Sequence, residues 1–264
     1  MLAQHLPPAF YRPLGAGAYE PTEATIGPWS TQVQHGGPPS ALLAHVLRVY
    51  PSTANFVLSR ITIEILGVIP LTPCEIKVEQ VRTGRRIELL KAQYSSAGKT
   101  YMIAHAWRLE SDEGIAPEVP QAFDLPPLPE PQAQIFFPGI SYFPYGHALE
   151  WRFSQGSFDS LGPATVWARP RIALIEGRPI HGLESLLLMI DSANGVSAEL
   201  DIMKWSFVPV DLTLGLFRQP SSPWVGMAAR TVITSQGLGQ TTTTAFDEHG
   251  CLGSSLHSLF VRPR

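Results

Sequence analysis

The amino-acid sequence predicts an α+β fold made of two tandem repeats, each with a central buried helix wrapped by a curled antiparallel sheet. Three observations support this prediction. A proline-rich segment divides the 264-residue chain near its middle, the two halves align with each other, and each half begins with an apolar helical segment followed by strands. Duplication of one fold explains this pattern better than a solenoid, whose repeats are much shorter.

The proline-rich segment covers residues 116–145, with the sequence APEVPQAFDLPPLPEPQAQIFFPGISYFPY. Proline cannot donate a hydrogen bond to a strand ladder or continue a helix, so this stretch is expected to be a semi-rigid linker. We therefore predict a first unit at residues 1–113, a linker at 114–146 and a second unit at 147–264.

The two halves share matching residues at a nearly constant offset. His35 matches His181 at an offset of 146 residues, and Thr62 matches Thr213 at an offset of 151. Small differences in loop length account for the drift. The match extends over most of each half, which indicates one fold present twice.

Each half opens with a helix and continues with strands. Ala41–Leu47 and Leu183–Ile190 are apolar on nearly every face, which is typical of a buried helix. Arg60–Ile65 and Asp211–Leu216 alternate with a period of two, as strands with one covered face do. Turn residues then separate β-branched segments, which predicts an antiparallel meander after each helix.

The composition excludes several kinds of function. A net charge of −3 leaves no basic footprint for nucleic acid or an anionic membrane. The chain lacks a signal-peptide pattern at its start and an apolar run of the roughly 20 residues needed to span a bilayer, so we expect a cytoplasmic protein. Cys74 and Cys251 have no partner at metal-ligand spacing, so we expect free thiols, no metal and no other cofactor.

Several strings of the sequence resemble one known family. HGGPPSALLAHVL resembles the segment that opens the helix in the thioesterase-like superfamily, related to acyl-CoA thioesterase II. LLLMIDSANGVSAELDIMKWSFVPVDLTLGLFRQP resembles its Asp-x-x-Asn-Gly-x-Ser helix end and the strand that follows, and SSLHSLFVRP resembles its last strand. The resemblance covers nearly the whole chain outside the linker. It implies a double hotdog fold and hydrolysis of an acyl thioester.

Asp191 is the first candidate for a catalytic residue. On a helix it shares a face with Leu187 and Asn194, and a carboxylate on an apolar buried helix is costly unless it is paired. Burial is expected to raise its pKa, and a perturbed carboxylate in a cleft is a functional candidate. The resemblance places the family's catalytic aspartate here; the alternative is a helix-end Asp that bonds a nearby amide. Asn194 is expected to orient the carboxylate, and His45 at the repeat position of Asp191 implies one competent site per chain.

Two further catalytic groups follow from the resemblance. His257 stands where the family usually has a glutamine that helps to orient the water; imidazole can also donate or accept a hydrogen bond, and the alternative is a structural histidine. The family's third residue is a hydroxyl near the start of the strand after the helix, and its position falls at Pro209. Thr213 and Ser206 are candidates to replace it, although both are also ordinary strand residues.

Candidate substrate-binding residues lie at a helix start and at a hairpin. His35, Gly36 and Gly37 precede the first helix, where backbone N–H groups can bind a thioester oxygen or a phosphate; the glycines could equally serve only a tight turn. Arg82 belongs to an arginine run that could contact coenzyme A phosphates, the alternative being a solvated surface charge.

These residues predict that Asp191 activates water against acyl-CoA or another acyl thioester without a covalent intermediate. No serine has the GxSxG pattern of a nucleophile elbow. Two alternatives stay open: an enoyl-thioester hydratase or dehydratase, and a non-catalytic acyl-ligand binding protein, which the changes at Pro209 and His257 favour.

We also expect a homodimer or larger homo-oligomer, because each unit leaves an exposed sheet edge and such edges tend to be paired. An acyl tunnel would be lined by some of the aromatic residues, with core packing as the alternative for each. The candidates are Trp29, Phe56, Trp107, Trp151 and Trp205.

Overall fold

The computed structural model describes residues 6–52, 54–120 and 122–264. Its helices are α1 (Gly37–Arg48), α2 (Pro144–His147), α3 (Gly182–Ile190) and α4 (Ala193–Val196). The strands of the first half are β1 (Ala9–Gly15), β2 (Ala18–Pro21), β3 (Phe56–Ile65), β4 (Cys74–Arg82), β5 (Ile87–Ser96) and β6 (Lys99–Glu110). Those of the second half are β7 (Leu149–Gln155), β8 (Ala164–Pro170), β9 (Ala173–Ile175), β10 (Trp205–Pro209), β11 (Asp211–Leu216), β12 (Val225–Ile233), β13 (Leu238–Asp247) and β14 (Gly250–Pro263).

Within the described residues these fourteen strands form one continuous sheet. The order is β7-β8-β12-β13-β14-β11-β3-β6-β5-β4-β2-β1-β9, and β10 pairs with the end of β14. The stretch from β11 to β7 comes from the second half, and the stretch from β3 to β1 comes from the first. Each half therefore contributes the same succession of strands, as tandem repeats should.

The two halves meet where β3 pairs with β11 in an antiparallel ladder. Thr62 lies directly opposite Thr213 in this ladder. The same two residues match as repeat equivalents in the sequence. Equivalent residues that face each other across an antiparallel pair lie on a two-fold axis, so a pseudo-two-fold rotation relates the halves.

The two long helices lie inside the curl of the sheet and pack against each other. The predicted segments Ala41–Leu47 and Leu183–Ile190 fall within α1 and α3, and their leucines are fully buried. Burial of each such side chain contributes roughly 1.5–3 kcal/mol to folding, so the helices anchor the core. The predicted strands lie within β3 and β11, and β11 buries every second residue. Among the described residues no helix is long and apolar enough to cross a membrane.

The proline-rich linker packs closely against the domains it joins. Between the end of β6 and the start of α2 its described residues form no helix or strand, yet Phe137 and Phe143 are buried in the core. Proline-rich chain lacks the N–H groups for a ladder, so it is held mainly by side chains. The unit boundaries at 113/114 and 146/147 stay a prediction.

The sheet edges differ from the exposed edges that the sequence predicts. At one end β9 pairs in parallel with β1. At the other end two linker side chains cover β7: Gln134 accepts from Trp151 N–H and donates to its carbonyl oxygen, at 2.9 and 3.0 Å. Gln132 does the same for Phe153, at 2.8 and 2.9 Å. Both amides thus imitate a neighbouring strand at the β7 edge, and the three-residue strand β9 is the edge at the other end; the homo-oligomer stays a prediction.

Replacing Gln132 and Gln134 together with alanine is expected to uncover the backbone of β7. Loss of four partly exposed hydrogen bonds should lower the free energy of unfolding by about 1–3 kcal/mol. The bare edge should also promote concentration-dependent association. Chemical denaturation and light scattering measure the two effects. Gln240→Ala is the matched control, because Gln240 is exposed on the sheet and its side chain makes no hydrogen bond to the described residues; equal behaviour of the two variants would contradict the prediction.

Candidate active site

Asp191 ends α3 and lies against the start of α1. It caps the C-terminus of α3 with helical backbone angles and is 5% exposed. The helices run antiparallel, so the C-terminal end of α3 meets the N-terminal end of α1. The partial positive charge of that N-terminus favours a carboxylate beside it. Antiparallel helix packing therefore brings the candidate base from one half to the candidate oxyanion donors of the other.

His35 and Gly36 make the closest contacts with this carboxylate. The Nδ1 atom of His35 lies 3.1 Å from Oδ2 of Asp191 and 3.1 Å from the backbone nitrogen of Gly37. A Cβ atom placed on Gly36 would lie 2.7 Å from Oδ1 of Asp191. Glycine is therefore required at this position by close approach to the carboxylate, while the backbone angles of Gly36 are ordinary.

The pKa of Asp191 lies below its ordinary value, which corrects the expectation that burial raises it. Burial does act in that direction, but opposing contributions outweigh it, and the largest of these is the hydrogen bond with His35. The carboxylate is consequently charged at neutral pH. Its Oδ1 atom has no hydrogen-bond partner among the described residues, so one acceptor stays available for a reactant.

His257 lies on β14 and points into the core. Its neighbours Leu259 and Val261 on the inner face are buried, while Leu256 and Phe260 on the outer face are more exposed. Burial lowers the pKa of His257 more strongly than the nearby charges of Asp191 and Asp211 raise it, so the ring is neutral at neutral pH. Neither ring nitrogen has a hydrogen-bond partner in the part of the chain that the structure describes. Two orphaned polar groups, His257 and Oδ1 of Asp191, thus lie in one buried region.

The N-terminus of α1 is open to a ligand because of its sequence. Pro38 and Pro39 have no N–H, and the N–H of Ser40 bonds the carbonyl of Gly36. The N–H of Gly36 has no partner within the described ranges. The N–H of Gly37 already donates to Nδ1 of His35, so Gly36 offers the donor with which this helix start can bind a thioester oxygen.

The equivalent place in the second repeat is closed. His181 and Glu184 form a capping box, in which Glu184 accepts from the N–H of His181 and the His181 ring accepts from the N–H of Leu183. His45, at the repeat position of Asp191, has its Nδ1 atom 2.7 Å from Glu184, which Arg48 also contacts at 2.9 Å. A groove of about 900 Å³ borders His181 there. The buried carboxylate near it, Glu184, is already paired with His45 and Arg48. The geometry supports one competent site per chain.

A cavity of about 740 Å³ opens onto Asp191. Both halves line it, with His35 and Gly36 from the first and Asp191 and Asn194 from the second. Most of the remaining wall is apolar. It includes Trp29, Ile65, Val68, Ile69, Phe137, Phe143, Phe158, Trp205, Phe207 and Val210. Such a cavity suits an apolar group whose polar end reaches the carboxylate.

The structure corrects three sequence predictions for site residues. Thr213 belongs to the residues of β11 that face away from the helices, in an outer groove with Arg230, because its inward neighbours are Leu212 and Leu214. Asn194 lines the cavity but donates to the carbonyl of Phe207 at 3.0 Å, so it holds β10 rather than Asp191.

Arg82 is the third. It donates to the carbonyl of Ile87 at 2.7 Å in its own hairpin and lies over the ring of Trp107. Ser206 and Pro209 both line the cavity. Of the two hydroxyl candidates, Ser206 is therefore the one on the cavity side.

Of the aromatic residues proposed for an acyl tunnel, Trp29 and Trp205 line the cavity, whereas Trp151 is packed in the core.

One residue of the site, Tyr145, was not predicted from the sequence. The linker supplies Tyr145, whose ring stacks on His35 with centroids 3.9 Å apart. Its hydroxyl donates to the carbonyl of Leu188 and lies 2.9 Å from the hydroxyl of Ser192. Tyr145 thus ties the position of His35 to the end of α3.

Two family models match the chain over most of its length. The model of the acyl-CoA thioesterase N-terminal domain matches residues 25–109, and that of the acyl-CoA thioesterase C-terminal domain matches residues 120–261. A search of curated protein sequences returns no significant match.

Solved structures share the fold at low sequence identity. A conserved protein with a hot dog fold from Alicyclobacillus acidocaldarius has a TM-score of 0.72 and 15% identity, with 95% of each chain covered. A TesB protein from Mycobacterium avium subsp. paratuberculosis has a TM-score of 0.67 and 13% identity, with 96% of each chain covered. An acyl-CoA thioesterase II, TesB2, from Mycobacterium marinum has a TM-score of 0.63 and 14% identity, covering 96% of this chain and 94% of that one. These likenesses confirm the double hotdog fold.

Replacing Tyr145 with phenylalanine keeps the stacked ring but removes the hydroxyl from one buried acceptor, the carbonyl of Leu188, and from one buried donor, the hydroxyl of Ser192. We expect the free energy of unfolding to fall by about 1–3 kcal/mol, because the carbonyl of Leu188 and the hydroxyl of Ser192 lose a buried partner. Tyr142→Phe is the control, since Tyr142 lies in the same segment, is only half-buried and makes no side-chain hydrogen bond to the described residues. Denaturant unfolding measures both, and a Tyr145→Phe variant as stable as its control would contradict this role.

Proposed function

The chain belongs to the acyl-CoA thioesterase family, and we propose that it hydrolyses an acyl-CoA with water activated by Asp191, at one site per chain. The observation that carries this proposal is the orphaned Oδ1 atom of a charged, buried Asp191 beside the open N-terminus of α1. A general base must be unprotonated and must have a free acceptor for the proton that it takes.

We place the water between Asp191 and His257, two buried groups whose charges act on each other. A water molecule donates two hydrogen bonds, and Oδ1 of Asp191 and a ring nitrogen of His257 are two buried acceptors without partners among the described residues. With both protons directed to these acceptors, a lone pair of the water oxygen is left for the thioester, which we place in the cavity that Asp191 lines. His257 thereby takes the place that glutamine has in the family pattern.

The reaction then proceeds without a covalent enzyme intermediate. The water oxygen forms a bond to the thioester carbonyl carbon, and one of its protons passes to Asp191. The carbonyl oxygen becomes an oxyanion held by the N–H group of Gly36, and one such donor is worth about 2.7–4 kcal/mol in comparable sites. Collapse of the intermediate breaks the C–S bond, and the departing thiolate takes up the proton from Asp191 to give free coenzyme A and a carboxylic acid.

The cavity determines which part of the substrate lies inside the protein. Its apolar wall fits the acyl chain, and the thioester then reaches Asp191 at the polar end. Arg264 lies at the lining of the same cavity over the ring of Trp29, 4.4 Å from its centroid. We place the polar carrier on this side, where a cation can approach its phosphates.

Asp191→Asn should reduce kcat for acyl-CoA hydrolysis by about 10²–10⁴-fold while KM changes little, because the amide fills the same space but accepts no proton. Thiol release with a chromogenic reagent measures turnover over a panel of acyl chain lengths. Asp124→Asn in the exposed part of the linker controls for the loss of one charge.

Undiminished turnover in folded Asp191→Asn would remove Asp191 from the mechanism. Acyl-CoA binding without thiol release by the wild type would instead indicate the binding protein. Hydration of an enoyl-CoA without thiol release would indicate the hydratase.

The pH dependence follows from two lowered pKa values. Asp191 must be charged, and its pKa lies below the ordinary 3.8; His257 must be neutral, and its pKa lies below the ordinary 6.5. Activity should therefore be constant through neutral pH and fall only below pH 6.5, first through protonation of His257. His35 also faces Asp191, so the profile is compared with that of His257→Gln, in which the acid limb should move to lower pH. An acid limb above pH 6.5 that is identical in both proteins would contradict the assignment.

A further inference from the structure

Gln34 is a buried amide in the segment that leads into α1. It belongs to the lining of the cavity that opens onto Asp191, although it is only 6% exposed. Its Oε1 atom accepts from the hydroxyl of Tyr11 at 2.7 Å. Its Nε2 atom donates to the carbonyl of Pro70 at 2.7 Å and to the hydroxyl of Tyr94 at 2.8 Å. Both polar atoms of the amide are therefore engaged in the core.

The chemistry of these partners leaves one orientation for the amide. The carbonyl of Pro70 can only accept, so it must face the nitrogen end of Gln34. The oxygen end then faces Tyr11, which has a proton to give. Burial raises the pKa of Tyr11 and of Tyr94 above the ordinary value, so both hydroxyls keep their protons at neutral pH. Gln34 is thus a fixed donor to the chain at Pro70.

The backbone around Gln34 joins the same two parts of the chain. Gln34 lies in a short extended segment that forms a β-bridge between Val33 and Pro70. The N–H of Gln34 donates to the carbonyl of Ile69 at 2.9 Å. The segment then continues through His35 to the start of α1. Both the side chain and the backbone of Gln34 therefore hold the chain that ends at Pro70 against the segment that enters the active site.

The chain before Pro70 forms one wall of the cavity. We call it the wall loop, and all of its residues, Ile65–Ile69, line the cavity. At its start the N–H of Leu66 donates to the backbone of β6 at 2.8 Å. The N–H groups of the next two residues have no backbone partner in the part of the chain that the structure describes, and Val68 is 71% exposed. Backbone hydrogen bonds thus hold the wall loop at its ends, and Gln34 reinforces the second end.

We propose that Gln34 is a specificity-determining residue: by fixing the wall loop, its amide sets how well the cavity accepts acyl chains that are long enough to reach that wall. This inference rests on the function proposed above. A loop that is ordered before binding loses little conformational entropy when an acyl chain packs against it. A released loop loses more, and only substrates that touch the loop are affected. Gln34 acts through the loop, so it is a positioning residue.

A purely structural role for Gln34 predicts something different. In that case the three hydrogen bonds only satisfy buried polar groups, and losing any of them would weaken the fold without changing the preference among acyl chains. Gln34→Met has a similar size and removes both donors of Nε2. Tyr94→Phe is the matched control, because it removes a buried partner of the same amide and leaves the bond to Pro70 in place.

Hydrogen exchange measures the attachment of the wall loop without any substrate. The N–H of Leu71, directly after the wall loop and Pro70, donates to the carbonyl of Gln32 at 3.0 Å across the same bridge. We expect this amide to exchange roughly tenfold faster in Gln34→Met than in the wild type, because a neighbouring buried hydrogen bond is lost. In Tyr94→Phe its exchange should stay close to that of the wild type.

Kinetics with acyl-CoAs of different length gives the second readout. In Gln34→Met the ratio of kcat/KM for octanoyl-CoA to that for acetyl-CoA should fall about threefold to tenfold, mainly through KM, whereas Tyr94→Phe keeps the wild-type ratio. Val68→Ser removes apolar surface from the wall loop without touching the core, so it should lower the ratio in the same direction. This variant tests the proposal even if Gln34→Met does not fold.

Three results would overturn the proposal: equal Leu71 exchange in the wild type and Gln34→Met, an equally large fall of the ratio in Tyr94→Phe, or a wild-type ratio in Val68→Ser. If the wild type hydrolyses no acyl-CoA, the proposed function fails. The same ratio is then taken from the dissociation constants of octanoyl-CoA and acetyl-CoA, which tests the role of Gln34 separately.

Discussion

The contact between the N-terminal end of α1 and the C-terminal end of α3 is the constraint on which the site depends. Antiparallel packing of two buried helices across a pseudo-two-fold axis brings Gly36 against the carboxylate of Asp191, so closely that a Cβ atom would collide with it. The contact solves the problem of a buried charge: His35 and the backbone N–H of Gly37 hold the carboxylate in its ionised form. The same contact joins the proton acceptor to the N–H of Gly36, the candidate oxyanion donor, which lies in the other half of the chain.

The pseudo-two-fold axis creates this helix contact twice, and sequence differences keep it open only once. In the second copy Glu184 accepts from the backbone N–H of His181 and pairs with His45 and Arg48. Removing one member of such a buried ion cluster would leave uncompensated charge, which costs far more than the pairing gains. The carboxylate of the closed copy is therefore fully paired, whereas in the open copy Oδ1 of Asp191 has no hydrogen-bond partner among the described residues.

Features with a period or a repeat were predictable from the sequence, and features that need two distant segments were not. The alternation of apolar and polar residues correctly predicts strands β3 and β11 and the inward direction of the His257 side chain. The apolar segments correctly predict helices α1 and α3. The pKa of Asp191 was predicted in the wrong direction because His35 reaches it only through the helix contact. Thr213 was a candidate for the catalytic hydroxyl because it lies on the strand that follows the helix. The positions of this strand that face the core are occupied by leucines, so Thr213 faces away from the site. Tyr145 and the edge-capping Gln134 sit in a segment whose prolines indicate only a linker.

That linker shows how a segment without regular structure can determine both folding and chemistry. Proline removes N–H donors from the chain, so the segment cannot add a strand to β7, and its glutamine side chains supply the missing donors and acceptors instead. A few residues later its aromatic rings form part of the cavity wall, and Tyr145 stacks on His35. Because one segment covers the sheet edge, lines the acyl cavity and supports the site, a shift of its register along β7 would displace Tyr145 as well. The linker therefore couples the edge of the sheet to the geometry around Asp191.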